Sequence, residues 1–207
     1  MIHLPCVQGS VEWINARIGI PTASCFDKLI TPVKMKPSAS AIPYLHEKLA
    51  EWLTGTTYDE AVAMFMDRGT ALEDEAAAWY ALETDTEPQE AGFFFRDDRM
   101  AGASPDRLVG EDGLVEIKCP NARTHVGYLL GSVAEAHKIQ IQGQLYITGR
   151  SWCDAVSYCP GMPASRVRME RDELSITAIS LAVDGFVETL NMAKKLLAER
   201  GYAQVAA

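Results

Sequence analysis

The sequence predicts a mixed α/β domain, with helices packed around a short sheet. Three observations predict it. Apolar residues recur at helical spacing toward the C-terminus, at Ile176, Ile179, Val183, Phe186, Val187, Leu190 and Leu197. Short β-prone runs bounded by turn residues cluster in the middle. Between two of those runs lies Gly110-Glu111-Asp112-Gly113, a hairpin turn signal. Helices on a short mixed sheet make an α/β or α+β domain. At 207 residues the chain is sized for one domain with a real core, so residues 1–207 are read as one unit.

In chain order, Ser10 to Ala16 reads as a short helix. Thr22, after Pro21, is placed to cap a helix running to about Thr31. Thr31 to Ser40, with its prolines and lysines, reads as a loop. Ala41 to Leu53 and Asp59 to Leu82 read as helices. Gly92 to Phe95 and Met100 to Ala103 read as strands leading into the hairpin. Ala134 to Ile147 reads as one helix, Trp152 to Cys159 and Val167 to Glu170 as strands, and Asp172 to Arg200 as a long amphipathic helix.

The chemistry concentrates at the hairpin. Ser104-Pro105-Asp106 is followed ten residues on by Glu116-Ile117-Lys118. Strand side chains alternate faces, so Glu116 and Lys118 point one way and Ile117 the other. A second carboxylate from the neighbouring strand would complete a site for a hard divalent cation, for which magnesium suits oxygen ligands. Register decides whether Asp106 joins them. A four-residue loop sets Asp106 opposite Ile117, on the wrong face. An odd loop, such as Val109 to Gly113, sets it opposite Glu116. We therefore expect an odd loop, a bulge or a strand-end twist.

Other residues point toward this chemistry. Glu73, Ala77 and Tyr80 share a helix face, and the small residues there would let Glu73 approach the metal pair. Asp74 and Glu75 read as solvated acids. His137, Gln140 and Gln144 form a polar stripe that faces either solvent or a partner such as a scissile phosphate. Arg17 and Ser24 flank a loop into a helix, where an arginine fork favours phosphate, although Ser24 could simply satisfy the helix backbone.

Composition narrows the classes. No continuous apolar run is long enough to span a bilayer, and Met1 to Ser10 shows no signal-peptide pattern. Five cysteines without C-x-x-C spacing read as free thiols in a reducing cytoplasm, and their scatter argues against an iron–sulfur cluster. The formal net charge of −9 is unusual for a protein that binds nucleic acid. Local potential steers a ligand, so the expectation is acids on outer faces and Arg17, Lys28, Lys34, Lys36, Arg68, Arg123 and Lys138 gathered at a groove.

Pro105-Asp106 with Glu116-Ile117-Lys118 resembles the PD-(D/E)xK nuclease motif. Four further blocks occur in order: Ala16 to Ser24, Arg68-Gly69-Thr70-Ala71-Leu72-Glu73, Ile117-Lys118-Cys119-Pro120 and Gln140-Ile141-Gln142. Together with Ala103 to Asp106, this series resembles the phage lambda exonuclease and YqaJ-type viral recombinase family, from about Gly9 to about Gly161. The resemblance implies a restriction-endonuclease-like core and 5′-to-3′ digestion of duplex DNA from its ends, releasing 5′-mononucleotides and leaving 3′ single strands. It implies two magnesium ions, replaceable by manganese, held by Asp106, Glu116, the Ile117 carbonyl and Glu73. Lys118 would position the attacking water, and Gln140 would belong to the catalytic set. Arg17, Ser24 and Ser104 would form a pocket for the 5′-phosphate. Met66 aligns with a strand-separating wedge, with a core methionine as the alternative reading. A homotrimeric ring, a single-strand annealing recombinase partner and the cytoplasm of a bacterial host are implied as well. Two rival readings remain: an endonuclease on the same core, and a non-catalytic DNA-end-binding module. The four intact positions Asp106, Glu116, Lys118 and Glu73 weigh against the latter.

Overall fold

The computed structural model describes residues 1–31, 35–57 and 70–202, with the side chains of one helix described from Leu72 onward. A five-stranded mixed sheet forms the centre, in the order β2(Gln89–Glu90), β5(Arg107–Val109), β6(Gly113–Lys118), β7(Trp152–Ser157), β8(Ser165–Glu170). Its pairs are antiparallel except β6 with β7. A parallel pair needs a crossover. Here α4(Ala122–Leu130), α5(Val133–Ala136) and α6(Lys138–Thr148) supply it. A smaller antiparallel sheet runs β1(Ile2–Leu4), β3(Phe93–Phe95), β4(Gly102–Ala103).

Both faces of the large sheet are covered. On one, Leu108, Leu114, Cys153 and Ala155 join a core with Ile141 and Leu145 of α6 and with Ile176, Ile179, Val183 and Leu190 of α7(Glu173–Glu199). On the other, Val109, Val115, Ile117 and Val156 pack on Ala76, Ala77 and Tyr80 of α3(Thr70–Thr84). The alternation along β6 thus buries both faces, and Glu116 lies on the α6 face. Tyr80 adds a polar tie: its hydroxyl donates to the fully buried Asp154, which Arg166 and Arg168 also hold. α1(Val11–Arg17) covers the small sheet through Trp13, near Phe93 and Phe95.

Several expectations need correction. The helix expected from Thr22 is a 3-10 helix, Ala23–Lys28. Thr22 makes no side-chain cap; its N–H goes to the Tyr44 hydroxyl of α2(Ala41–Thr54), and its own hydroxyl meets Ser24. The single helix expected from Ala134 is broken at His137, whose φ of −115° and ψ of 21° separate α5 from α6. β1 and β2, of three and two residues, are too short for a periodic signal. α4 is a helix the sequence reading does not place, although Asn121 caps it by accepting from the Thr124 N–H. Of the helix expected at Asp59 to Leu82, the described portion is α3, and residues 59–69 lie outside the described residues. Among those described, α7 has the length and composition of a membrane span. Its apolar stripe is already packed into the core, beginning beyond the Asp172 cap.

Candidate active site

The β5–β6 register pairs Arg107 with Val115, Leu108 with Leu114 and Val109 with Gly113. The loop proper is Gly110 to Asp112. It is shorter than the expected five residues because Val109 and Gly113 themselves pair, but it keeps the odd parity. Gly110 opens it at a φ of +54°. Gly113 closes it where a Cβ would sit 2.1 Å from the Trp152 ring, so only glycine fits. One step beyond the paired residues, this register sets Asp106 opposite Glu116 on one face.

The two acids meet as the register requires. Asp106 is 8% exposed and Glu116 2%. Asp106 Oδ2 accepts the Ile117 N–H at 2.5 Å. Glu116 Oε1 accepts from Lys118 Nζ and from Gln140 Nε2, each at 2.6 Å, and Oε2 accepts from Gln144 Nε2 at 2.6 Å. The position facing Ile117 in the extended register is Pro105, which has no N–H to offer. Its carbonyl is held by Gln8 Nε2 at 2.7 Å. The Ile117 carbonyl therefore meets no ladder donor on that side.

Glu73 lies in the same cavity, reaching it from the far side of the sheet. Its Oε1 accepts from Arg107 Nη1 at 2.9 Å, and that guanidinium also bonds the Asp106 carbonyl and Asp74. Arg107, unremarked in the sequence, thus ties Glu73 to the residue that carries the first acid. Among the described residues no three or more His, Cys, Asp or Glu side chains converge as a metal cluster. Asp106 and Glu116 are the convergent pair.

Charge explains what this pair lacks. Burial, then Glu116 and Glu73, push the Asp106 carboxyl well above the ordinary carboxylate range. Burial also raises Glu73, opposed by Arg107. Burial works against the Lys118 ammonium, but Glu116 and Asp106 outweigh it and hold its pKa above the usual lysine value. Two carboxylates are buried side by side here with Lys118 as the ammonium bonded to them, and a hard divalent cation would add positive charge with the oxygen donors it prefers. The donor set fits magnesium or manganese.

The other end of the cavity, whose volume is about 290 Å³, is lined by Arg17, Ser24 and Ser104. Arg17 is buried, with its guanidinium 4.3 Å from the Trp13 ring centroid and Nη2 3.4 Å from Ser24 Oγ. Ser104 is already committed: it accepts from Trp13 Nε1 and donates to the Gly92 carbonyl, both at 2.7 Å. In this arrangement its proton is already given to the Gly92 carbonyl, and it holds the Trp13 ring that lies against the Arg17 guanidinium. The signal for Trp13 was present in the sequence, four residues before Arg17 on one helix turn.

All the expected site residues that are described therefore border one cavity. Met66, Lys34 and Arg68 lie outside the described residues. The expected basic groove narrows: Lys28 is paired with Glu47, Lys138 lies 3.9 Å from Asp172, and Lys36 and Arg123 are exposed. His137 of the expected polar stripe meets the Tyr128 hydroxyl at 2.9 Å. The five cysteines are free thiols.

The family profile described as YqaJ-like viral recombinase domain matches residues 12–151. The fold is similar to the crystal structure of an alkaline exonuclease, LHK-Exo, from Laribacter hongkongensis, with a TM-score of 0.82 and 37% identity over 93% of this chain and 98% of that one. The structure of LHK-Exo in complex with dAMP matches with a TM-score of 0.81 and 36% identity, covering 93% and 98%. A phage-related exonuclease from Haemophilus somnus shares the fold at 14% identity, with a TM-score of 0.67 over 87% of this chain and 96% of that one. No curated protein matches. The mixed sheet flanked by helices is the restriction-endonuclease-like fold of these neighbours.

Proposed function

This chain belongs to the YqaJ-like viral recombinase domain family, and from that premise we propose that it is a metal-dependent exonuclease that digests duplex DNA from 5′ ends. The observation that carries the reading is the buried pair Asp106 and Glu116, with Lys118 Nζ 2.6 Å from Glu116, in one cavity with the Arg17 guanidinium. The similarity to a protein described as an alkaline exonuclease supports it.

Asp106, Glu116 and the Ile117 carbonyl would hold one magnesium ion, and Asp106 with Glu73 would help hold a second. When bound, such ions polarise the scissile phosphate, acidify water and stabilise both the attacking and leaving oxygens of an in-line displacement. Lys118, tethered to Glu116 and Gln140, orients the attacking water. Gln140 keeps Lys118 and Glu116 in mutual register. Arg17 and Ser24 hold the 5′-terminal phosphate, and Trp13 stiffens Arg17 through the stacked ring. Products are 5′-mononucleotides, and a 3′ single strand remains for a single-strand annealing partner in the bacterial cytoplasm. The same reading carries a homotrimeric ring, which sedimentation checks directly.

The test is a linear duplex labelled separately at each end, digested with and without magnesium. Release of mononucleotides from 5′ ends only, and only with magnesium, is the expected result. Release that begins at 3′ ends, or that continues in chelator, overturns the proposal. Cutting of closed circular duplex would make the protein an endonuclease instead.

A further inference from the structure

α6 carries two buried glutamines two residues apart, and their hydrogen bonds differ. Gln142 is 1% exposed and satisfied at both ends: Nε2 donates to the Glu170 carbonyl at 2.8 Å, and Oε1 accepts the Asp172 N–H at 2.9 Å. It joins α6 to the junction of β8 and α7. Gln144 is equally buried, but only its Nε2 is used, on Glu116 Oε2, and its Oε1 is buried without a hydrogen-bond partner. The amide cannot be reversed to cure this, because reversal would set its oxygen against the Glu116 carboxylate. A buried acceptor left unpaired is unfavourable, and folds retain such groups where another requirement prevails.

The requirement is visible at Glu116. Each carboxylate oxygen offers two lone-pair sites. Oε1 already receives Lys118 and Gln140, which fill both. Oε2 receives only Gln144, so one site remains there. The remaining lone pair is the direction in which Glu116 can hold a cation, and the Gln144 amide sets where it points. Groups that orient a ligating carboxylate change metal affinity when removed.

We propose that Gln144 is a positioning residue for the metal site, aiming Glu116 Oε2 at the cation, while Gln142 is purely structural. This rests on the metal-dependent nuclease reading above. Mn2+ binding to the DNA-free full-length protein, measured by calorimetry or by the spectroscopic signal of free Mn2+, tests it apart from turnover. Gln144→Met should weaken Mn2+ binding about 10- to 100-fold, and the metal-free protein should melt close to the parent because the unpaired acceptor leaves with the amide. Gln142→Met should do the reverse, lowering the melting temperature and leaving Mn2+ affinity unchanged. A Gln144→Met protein that is folded and binds Mn2+ as the parent does overturns the inference alone, provided Glu116→Ala abolishes binding. If Gln144→Met does not fold, Gln144→Asn replaces it, with the same affinity loss expected and unchanged affinity again refuting the idea. A parent protein that binds no Mn2+, or binds it regardless of Glu116, overturns the metal-dependent reading and this inference with it.

Discussion

Lys48→Met should destabilise the fold more than removing Lys48 and its partner together. Lys48 and Glu51 on α2 are 1% and 0% exposed, and Lys48 Nζ donates to both Glu51 oxygens at 2.9 Å. Glu51 Oε2 also accepts the Gly19 N–H at 2.9 Å, and Oε1 accepts from Thr57 at 3.3 Å. Removing Lys48 alone takes away the ammonium that donates to both oxygens of this buried carboxylate, a loss of about 3–5 kcal/mol. That is a large part of the ~5–15 kcal/mol by which domains are stable. Removing both charges in Lys48→Met/Glu51→Leu takes away the acceptor of the Gly19 N–H without stranding the Glu51 charge, and each buried donor left unpaired costs about 1–3 kcal/mol. Urea unfolding followed by tryptophan fluorescence should show a lower midpoint for the single variant than for the double, with similar slopes. A functional effect should follow, because Gly19 lies between Arg17 and Ser24. Its N–H is held by Glu51, and its carbonyl by Lys194 at 3.0 Å. A single variant that unfolds like the parent, or a double variant that is the weaker of the two, would refute the assignment of this pair as a charge-compensated clamp.

Lys118→Ala should lower single-turnover hydrolysis about 10²- to 10⁴-fold while sparing DNA-end affinity, and near-parent rates would remove Lys118 from the chemistry. Arg17→Lys keeps the charge and loses the fork; the preference for 5′-phosphorylated over 5′-hydroxyl ends should fall roughly 10- to 100-fold, from the ~1.5–3 kcal/mol of a charged hydrogen bond. Comparing kcat/KM on the two substrates decides it, and a surviving preference places the phosphate elsewhere. Metal and pH are linked through Asp106, whose folded-state pKa is raised chiefly by burial. Its protonated form stabilises the metal-free protein below the ordinary carboxylate range, and that stability is lost as pH rises through the raised value. A cation binds the deprotonated form, so the increase in melting temperature produced by Mn2+ should be small in acid and grow as pH rises. An increase that is flat with pH, or that persists unchanged in Asp106→Asn, contradicts the linkage.

How much of this could be read from the chain alone depended on distance along it. The hairpin is local: its turn glycines and the period of two mark Asp106 and Glu116 as neighbours, but the sequence left the parity of the loop open, and the pairing of Val109 with Gly113 is what puts both acids on one face. The amphipathic stripe of α7 was legible for the same reason, since its periodicity lies within one helix. The break at His137 was not, because it depends on how α5 and α6 each pack against neighbours. Nor were Arg107 on Glu73, Gln144 on Glu116, Trp13 on Ser104 or Glu51 on Gly19. In each, the partners lie between 28 and 91 positions apart, and nothing in a period of two or 3.6 encodes which of many polar side chains will meet. The sequence by itself named the candidate acids, and the strand pairing decided that they share a face. The tertiary structure decided which donors hold them, because burial makes every polar atom near the site find a partner or remain without one.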